Sequence, residues 1–294
     1  MTTYDVRQST AYTYASPVPY AHHALRLTPI DRHGQRVHAA SLDIVPTPVE
    51  RRDGFDFFGN RMTWITIDES HETFTVKVSA RIAVEPQVDP ATIVSPPWEQ
   101  VRDLAFASDD LTSESPVHGL FTSRQVPLDP EIRAYAQPSF PDGRPVLDGV
   151  FELTKRIKAD FVYEVGATTV RTTPPMSFAL RRGVCQDFAH IMISGLRGLG
   201  IPARYVSGYL RTFAAPGKKK LEGADAMHAW VSVWCGPEVG WHGVDPTNGI
   251  HAGEDHVVLA LGRDYADVAP IDGVVFASGR QKLKVGVSVT AVDE

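Results

Sequence analysis

Cysteine is scarce. Two residues among 294 cannot staple a chain of this length, and both lie in apolar or glycine-flanked stretches rather than a secreted disulfide framework. A reducing compartment is therefore expected. Basic charge is also in short supply: 29 Lys and Arg face 35 Asp and Glu, a net charge of −6. With no surplus to attract phosphate backbones or anionic lipid, neither nucleic acid nor a membrane is expected as a partner. No run approaches the roughly 20 apolar residues of a bilayer span, and the opening MTTYDVRQSTAYTY lacks the basic start and apolar core of a secretory signal. A cytoplasmic location is expected. Internal repeats and low-complexity tracts are missing. So is a phosphate cradle, because Gly195, Gly198 and Gly200 lack the strand-turn-helix context and the P-loop lysine. What remains, 43% hydrophobic and 22% charged, is an ordinary globular composition at a length where a single core nears its limit. Two domains are expected.

From Tyr4 to Glu85 short alternating runs are separated by Pro and Gly, as in Leu42-Asp43-Ile44-Val45, Met62 to Ile67 and Phe74-Thr75-Val76-Lys77-Val78. Strands with no helix between them predict an antiparallel β-sandwich over 1–88, with Phe58-Gly59-Asn60 at a hairpin turn. Over 89–128 the periodicity fades into a connecting segment with one short helix near Trp98 to Ala107. Asp129-Pro130 then reads as an N-cap followed by proline in the first turn, and Leu147, Val150, Phe151, Thr154, Ile157 and Phe161 form a helical stripe. The fold class expected is α+β, with a catalytic core and C-terminal strands over 129–294. Lys218, Lys219 and Lys220 follow Pro216-Gly217, where a charge run is usually a solvated loop.

The chemistry concentrates in two segments. In Gly183-Val184-Cys185-Gln186-Asp187-Phe188-Ala189-His190, the spacing of Ala189, Met192, Leu196 and Leu199 predicts a helix that stops at Gly200 and Pro202. Cys185 falls in its first turn, where unpaired N–H groups and the helix dipole favour a thiolate. A buried structural cysteine is the bland alternative, and the second segment weighs against it. Ala226 to Trp234 and Trp241 to Thr247 read as two strands joined by a turn containing Gly236-Pro237. With the turn centred between those two residues, His228 stands opposite Asp245; centring it one residue later shifts the pairing by two but keeps both on one face. Cys185, His228 and Asp245 then make the nucleophile, base and orienting carboxylate of acyl transfer.

The blocks GVCQDFAH, HAWVSV and DPTNG resemble the core of the transglutaminase-like superfamily, which shares its layout with papain-type peptidases. The resemblance implies a papain-like core with Cys185, His228 and Asp245 as its catalytic triad. Thr10, Tyr12, Tyr14, Leu25, Leu27, Pro29, Gln35 and Phe58-Gly59-Asn60 are similar to the N-terminal β-domain of the bacterial branch, and Gly262 to Val268 with Pro270 and Gly273 to its C-terminal block. Papain-like peptidases place an oxyanion-binding glutamine six residues before the cysteine, where this chain has Ala179. The Cys185 backbone N–H and a second donor must serve instead, and Tyr163 is the candidate. An amphipathic core tyrosine would look the same.

Other residues read as structural. His190 is more than a turn from Cys185 and is expected in the core; Asp187 supports the first helical turn; Cys235 has no base in view and is expected to be inert. His242, His251 and His256 with Asp255 match no compact zinc spacing, and no EF-hand-like loop appears, so no metal or cofactor is expected. The expected activity is attack of Cys185 on an amide of a peptide or protein, most simply with water as the final acceptor. Transfer to an amine is the alternative, and a non-catalytic peptide-binding module is the reading of another class. Trp230, Trp234 and Trp241 could wall an amine tunnel, though alternating strand positions are more often core.

Overall fold

A computed structural model describes residues 1–86, 88–213, 225–276 and 279–292; the Lys218 to Lys220 run lies outside them. The N-terminal alternation resolves into β1 (Thr2–Val18), β2 (Tyr20–Leu25), β3 (Gln35–Val45), β4 (Glu50–Phe55), β5 (Arg61–Ile67) and β6 (His71–Val84). In β6 the period-two pattern buries Phe74, Val76, Val78, Ala80 and Ile82, which with Tyr4 and Val6 of the neighbouring β1 pack against Leu25, Ile65 and Ile67 of the other sheet in one apolar cluster. At the hairpin between β4 and β5, Gly59 takes φ +71°, a conformation that favours glycine.

Helices follow: α1 (Trp98–Phe106), α2 (Pro130–Ala136) and α3 (Val146–Asp160). Asp129 caps α2, its carboxylate accepting from the N–H groups of Glu131 and Ile132. Next come β7 (Val162–Tyr163), α4 (Pro174–Leu180), β8 (Arg182–Gly183) and α5 (Cys185–Gly198). The α5 helix ends where expected. Gly200 at φ +80° and Ile201 return N–H groups to Arg197 and Leu196, a Schellman stop. Strands β9 (Ala203–Leu210), β10 (Ala226–Trp234), β11 (Trp241–Asp245), β12 (Ile250–His251) and β13 (His256–Gly262) form one sheet in the order β12-β11-β10-β9-β13. Ala229, Val231 and Val233 of this sheet share a core with Phe188, Ala189, Met192 and Leu196 of α5. A short α6 (Tyr265–Val268) precedes β14 (Ile271–Phe276) and β15 (Gln281–Ala291).

Two details differ from the sequence reading. The C-terminal strands, expected with the core over 129–294, pair instead with the sandwich: β15 lies along β1 and β14 along β2, completing two four-stranded sheets. The reason is edge satisfaction. Without them β1 and β2 would each leave a row of backbone groups unpaired, and Val287 and Val289 alternate into the sandwich core. Tyr209, Val257 and Leu259 join the same cluster, so the sandwich and the five-stranded sheet share one apolar seam. The β10–β11 register, Trp234 opposite Trp241 and Val231 opposite Val244, is the later of the two alternatives. His228 and Asp245 are therefore diagonal neighbours rather than directly opposed.

Candidate active site

The start of α5 is built without an N-cap side chain. Val184 has no oxygen to offer, so the carboxylate of Asp187 reaches back and accepts the Val184 N–H at 2.8 Å and the Thr168 hydroxyl at 2.6 Å. Gly183 makes room for it. A Cβ there would lie 2.5 Å from the Asp187 carboxylate oxygen. Burial raises the Asp187 carboxyl above its ordinary range, against the lowering pull of these hydrogen bonds. The GVCQD segment thus holds a half-buried Cys185 at the first helical position.

His228 lies near the start of β10. Burial works against its charge, but hydrogen bonds to Asp245 and Cys185, with the negative charge on both, push the imidazole up to about 10. Its Nε2 donates to Asp245 Oδ2 at 2.8 Å, which leaves Nδ1 for the sulfur. Asp245 ends β11 fully buried, and only hydrogen bonds make that tolerable. Its Oδ1 accepts the backbone N–H groups of Thr247 (2.9 Å) and Asn248 (3.2 Å), the turn signature of Asp-Pro-Thr-Asn. Oδ2 accepts His228, the Asn248 amide at 2.7 Å and His256 at 3.2 Å. Despite burial, these donors hold the carboxyl far below the usual carboxylate range.

The structure therefore brings Cys185, His228 and Asp245 into one hydrogen-bonded line. Tyr163 lies beside it: β7 runs parallel to β8 with Tyr163 opposite Gly183, and burial, then the Cys185 charge, raise the phenol. The ring is half exposed and meets Phe188 edge-on at 6.4 Å. His190 is buried as expected; its Nε2 accepts the Tyr265 N–H at 3.2 Å, and burial drives it down to about 4. Cys235 is fully buried and its thiol is pushed up to about 12.

Sequence reasoning missed His256, Asn248 and the packing role of Trp230. His256 was grouped with His242 and His251, yet those two bond to each other at 2.9 Å. Asn248 was legible in principle, as an Asx-type turn after Asp245. Trp230 packs against both His228 (ring centroids 6.1 Å) and His256 (5.1 Å), its indole filling the space where a Cβ on Gly208 would come within 2.5 Å. Ligand atoms of His228, Asp245 and His256 lie within 4.8 Å of one another, a span one metal ion could bridge. Both histidines are already hydrogen-bonded to Asp245, so a metal would have to displace that network.

A helix-borne thiol joined to a sheet-borne imidazole and a buried carboxylate defines the class of papain-like, cysteine-centred α+β proteins. Comparison with known proteins gives the family. Residues 4–83 match the bacterial transglutaminase-like N-terminal region and residues 133–246 the transglutaminase-like superfamily. An uncharacterized protein of Mycobacterium tuberculosis is 35% identical, the match covering 98% of this chain and 92% of that one. The solved structure of a candidate cysteine protease from Cytophaga hutchinsonii superposes with a TM-score of 0.77 at 22% identity, covering 100% of this chain and 91% of that one. A protein-glutamine gamma-glutamyltransferase of Pseudomonas aeruginosa is 45% identical over 71 residues, 24% of this chain and 10% of that one. The chain belongs to the bacterial branch of the transglutaminase-like superfamily.

Proposed function

We propose that the chain is a cysteine-dependent acyl-transfer enzyme that attacks amide carbonyls of peptides or proteins and releases the acyl group mainly to water. The observation that carries this reading is the line Cys185, His228, Asp245, with the thiol at a helix start and the imidazole raised to about 10 by its two partners. A protonated imidazole beside the sulfur favours the form of the thiol that attacks carbonyl carbon. The thiolate attacks the carbonyl carbon, His228 protonates the leaving nitrogen as the C–N bond breaks, and Asp245 fixes the tautomer throughout. His228 then takes a proton from water as the thioester is hydrolysed. The Cys185 backbone N–H, unpaired at the first helical position, and the Tyr163 hydroxyl are the proposed oxyanion donors.

Water is favoured over an amine because it is present at far higher concentration, and an amine wins only where a subsite raises its effective molarity. The tryptophans that could wall such a subsite are otherwise committed. Trp230 is buried against both histidines, Trp234 packs partly buried against the core shared by α5 and the sheet, and Trp241 donates to the Glu114 carbonyl at 2.9 Å beneath Arg204. Amine transfer is the second reading, favoured by the 71-residue match to the Pseudomonas glutamyltransferase. Mass spectrometry of glutamine-containing peptides, with and without millimolar primary amine and with Cys185→Ala as the blank, separates them. Ammonia release or cleavage without adduct is expected. A dominant amine adduct establishes the transferase, and products at the blank level across all substrates favour a binding module.

A further inference from the structure

Asp245 serves two histidines rather than one. His256 opens β13, buried to 4% exposure, and its two ring nitrogens have distinct partners. Nδ1 accepts the backbone N–H of Gly253 at 3.1 Å, so the neutral ring must carry its proton on Nε2. That proton points at Asp245 Oδ2, 3.2 Å away, the same oxygen that takes the Nε2 proton of His228. The edge-on contact with Trp230 fixes the ring plane, and Trp230 also stacks on His228 at 26°.

We propose that His256 is a positioning residue of this site: by donating its Nε2 proton to Asp245 Oδ2 it shares the carboxylate with His228 and keeps the imidazolium able to surrender its proton. The inference rests on the triad reading and adds to it. A carboxylate oxygen that satisfies one donor fully binds that donor's proton tightly, whereas each added donor draws density away and weakens its hold on the others. In acyl transfer His228 must first hold the imidazolium beside the thiolate, then pass the Nδ1 proton to the leaving nitrogen as the C–N bond breaks and the S–C bond remains. An undivided Asp245 would favour the first task at the expense of the second.

Among the described residues, the groups that face these rings are few. From α5 comes Cys185, from β11 Asp245, and from the turn after it the uncharged Asn248 amide. Asp255, next to His256, turns instead to the Tyr4 hydroxyl (3.1 Å) and Arg211 (3.5 Å). The two rings also meet directly, centroids 6.1 Å apart, so it is the return of the donor in His256→Gln that reads the route through Asp245.

The test uses the full chain with two substitutions. His256→Phe keeps an aromatic ring against Trp230 and removes the donor; His256→Gln restores an N–H within reach. NMR titration of the His228 imidazole and the pH profile of Cys185 alkylation by iodoacetamide are read together, neither requiring a substrate. In His256→Phe the alkaline titration of His228 should move up by about half a unit to one unit, and the alkaline limb of the alkylation profile should move with it. His256→Gln should return both towards the parent. Should His256→Phe not fold, His256→Leu carries the same expectation. A parent His228 that titrates near 6.5 overturns the triad reading and this inference with it. A parent that titrates high while His256→Phe leaves it unmoved, or while Phe and Gln move it equally, overturns this inference alone.

Discussion

Replacing Asp245 by Asn removes one charge and, with it, the logic of five hydrogen bonds. The carboxylate accepts from His228, His256 and Asn248 on one oxygen and from two backbone N–H groups on the other. An amide has a single acceptor oxygen, so in either orientation its NH2 must face donors. Two costs follow. The first is structural: leaving buried donors unpaired costs on the order of 1–3 kcal/mol, and the unfolding midpoint should fall accordingly. The second is catalytic. His228 rises from 6.5 to about 10 with Asp245 and Cys185 as partners, and each pH unit is worth about 1.4 kcal/mol. If Asp245 supplies half or more of that support, the imidazolium loses on the order of 2–4 kcal/mol, roughly 10²–10³-fold. A wrong tautomer deepens the loss, and the serine-protease Asp→Asn change costs on the order of 10⁴ in turnover. Turnover of Asp245→Asn should fall by about 10³–10⁴, and Cys185 alkylation near neutral pH should slow towards that of a free thiol. Circular dichroism and the unfolding midpoint check that the variant is folded. Parent-level turnover and alkylation in a folded Asp245→Asn protein would refute the reasoning, since His228 would then be oriented by another group.

Cys185 should be alkylated by iodoacetamide much faster than Cys235 in the native protein, because one thiol is half-buried beside His228 and the other is sealed in the core and pushed up to about 12; peptide mapping at neutral pH decides, and equal rates would sink the assignment. Gly183→Ala should destabilise the fold by about 1–3 kcal/mol and slow Cys185 alkylation, since the new Cβ meets the Asp187 oxygen at 2.5 Å and displaces the group that anchors the helix start; an unchanged melting temperature and alkylation rate would show that Asp187 gives way freely. Stability should also depend on pH through the pair. The raised His228 contributes fully below its unfolded value of 6.5 and loses that contribution as pH climbs through about 10, whereas the depressed Asp245 contributes above its unfolded 3.8 and loses it only in strong acid. Denaturant titrations between pH 6 and 10 should show a decline that is smaller in His228→Gln; the same slope in both would mean that other groups set it.

The local chemistry was written in the chain. Asp129-Pro130 dictates the start of α2, Gly200 the end of α5, and the position of Cys185 at a helix start follows from Gly183 and the apolar spacing after it, because caps, stops and periodicity are short-range properties. Strand alternation from Tyr4 to Val84 named the sandwich, and the Asp-Pro-Thr-Asn turn already carried the bonds that hold Asp245. Pairing over long sequence distances was not legible in this way. That β14 and β15 return to β2 and β1 depends on which sheet edges stand open once the chain has collapsed, a property of the assembled layers. The β10–β11 register turned on the turn centre, which the sequence reading put first between Gly236 and Pro237 and the fold puts one residue later. His256 was beyond reach for the same reason: only folding carries a histidine from the start of β13 to within 3.2 Å of the carboxylate that orients His228.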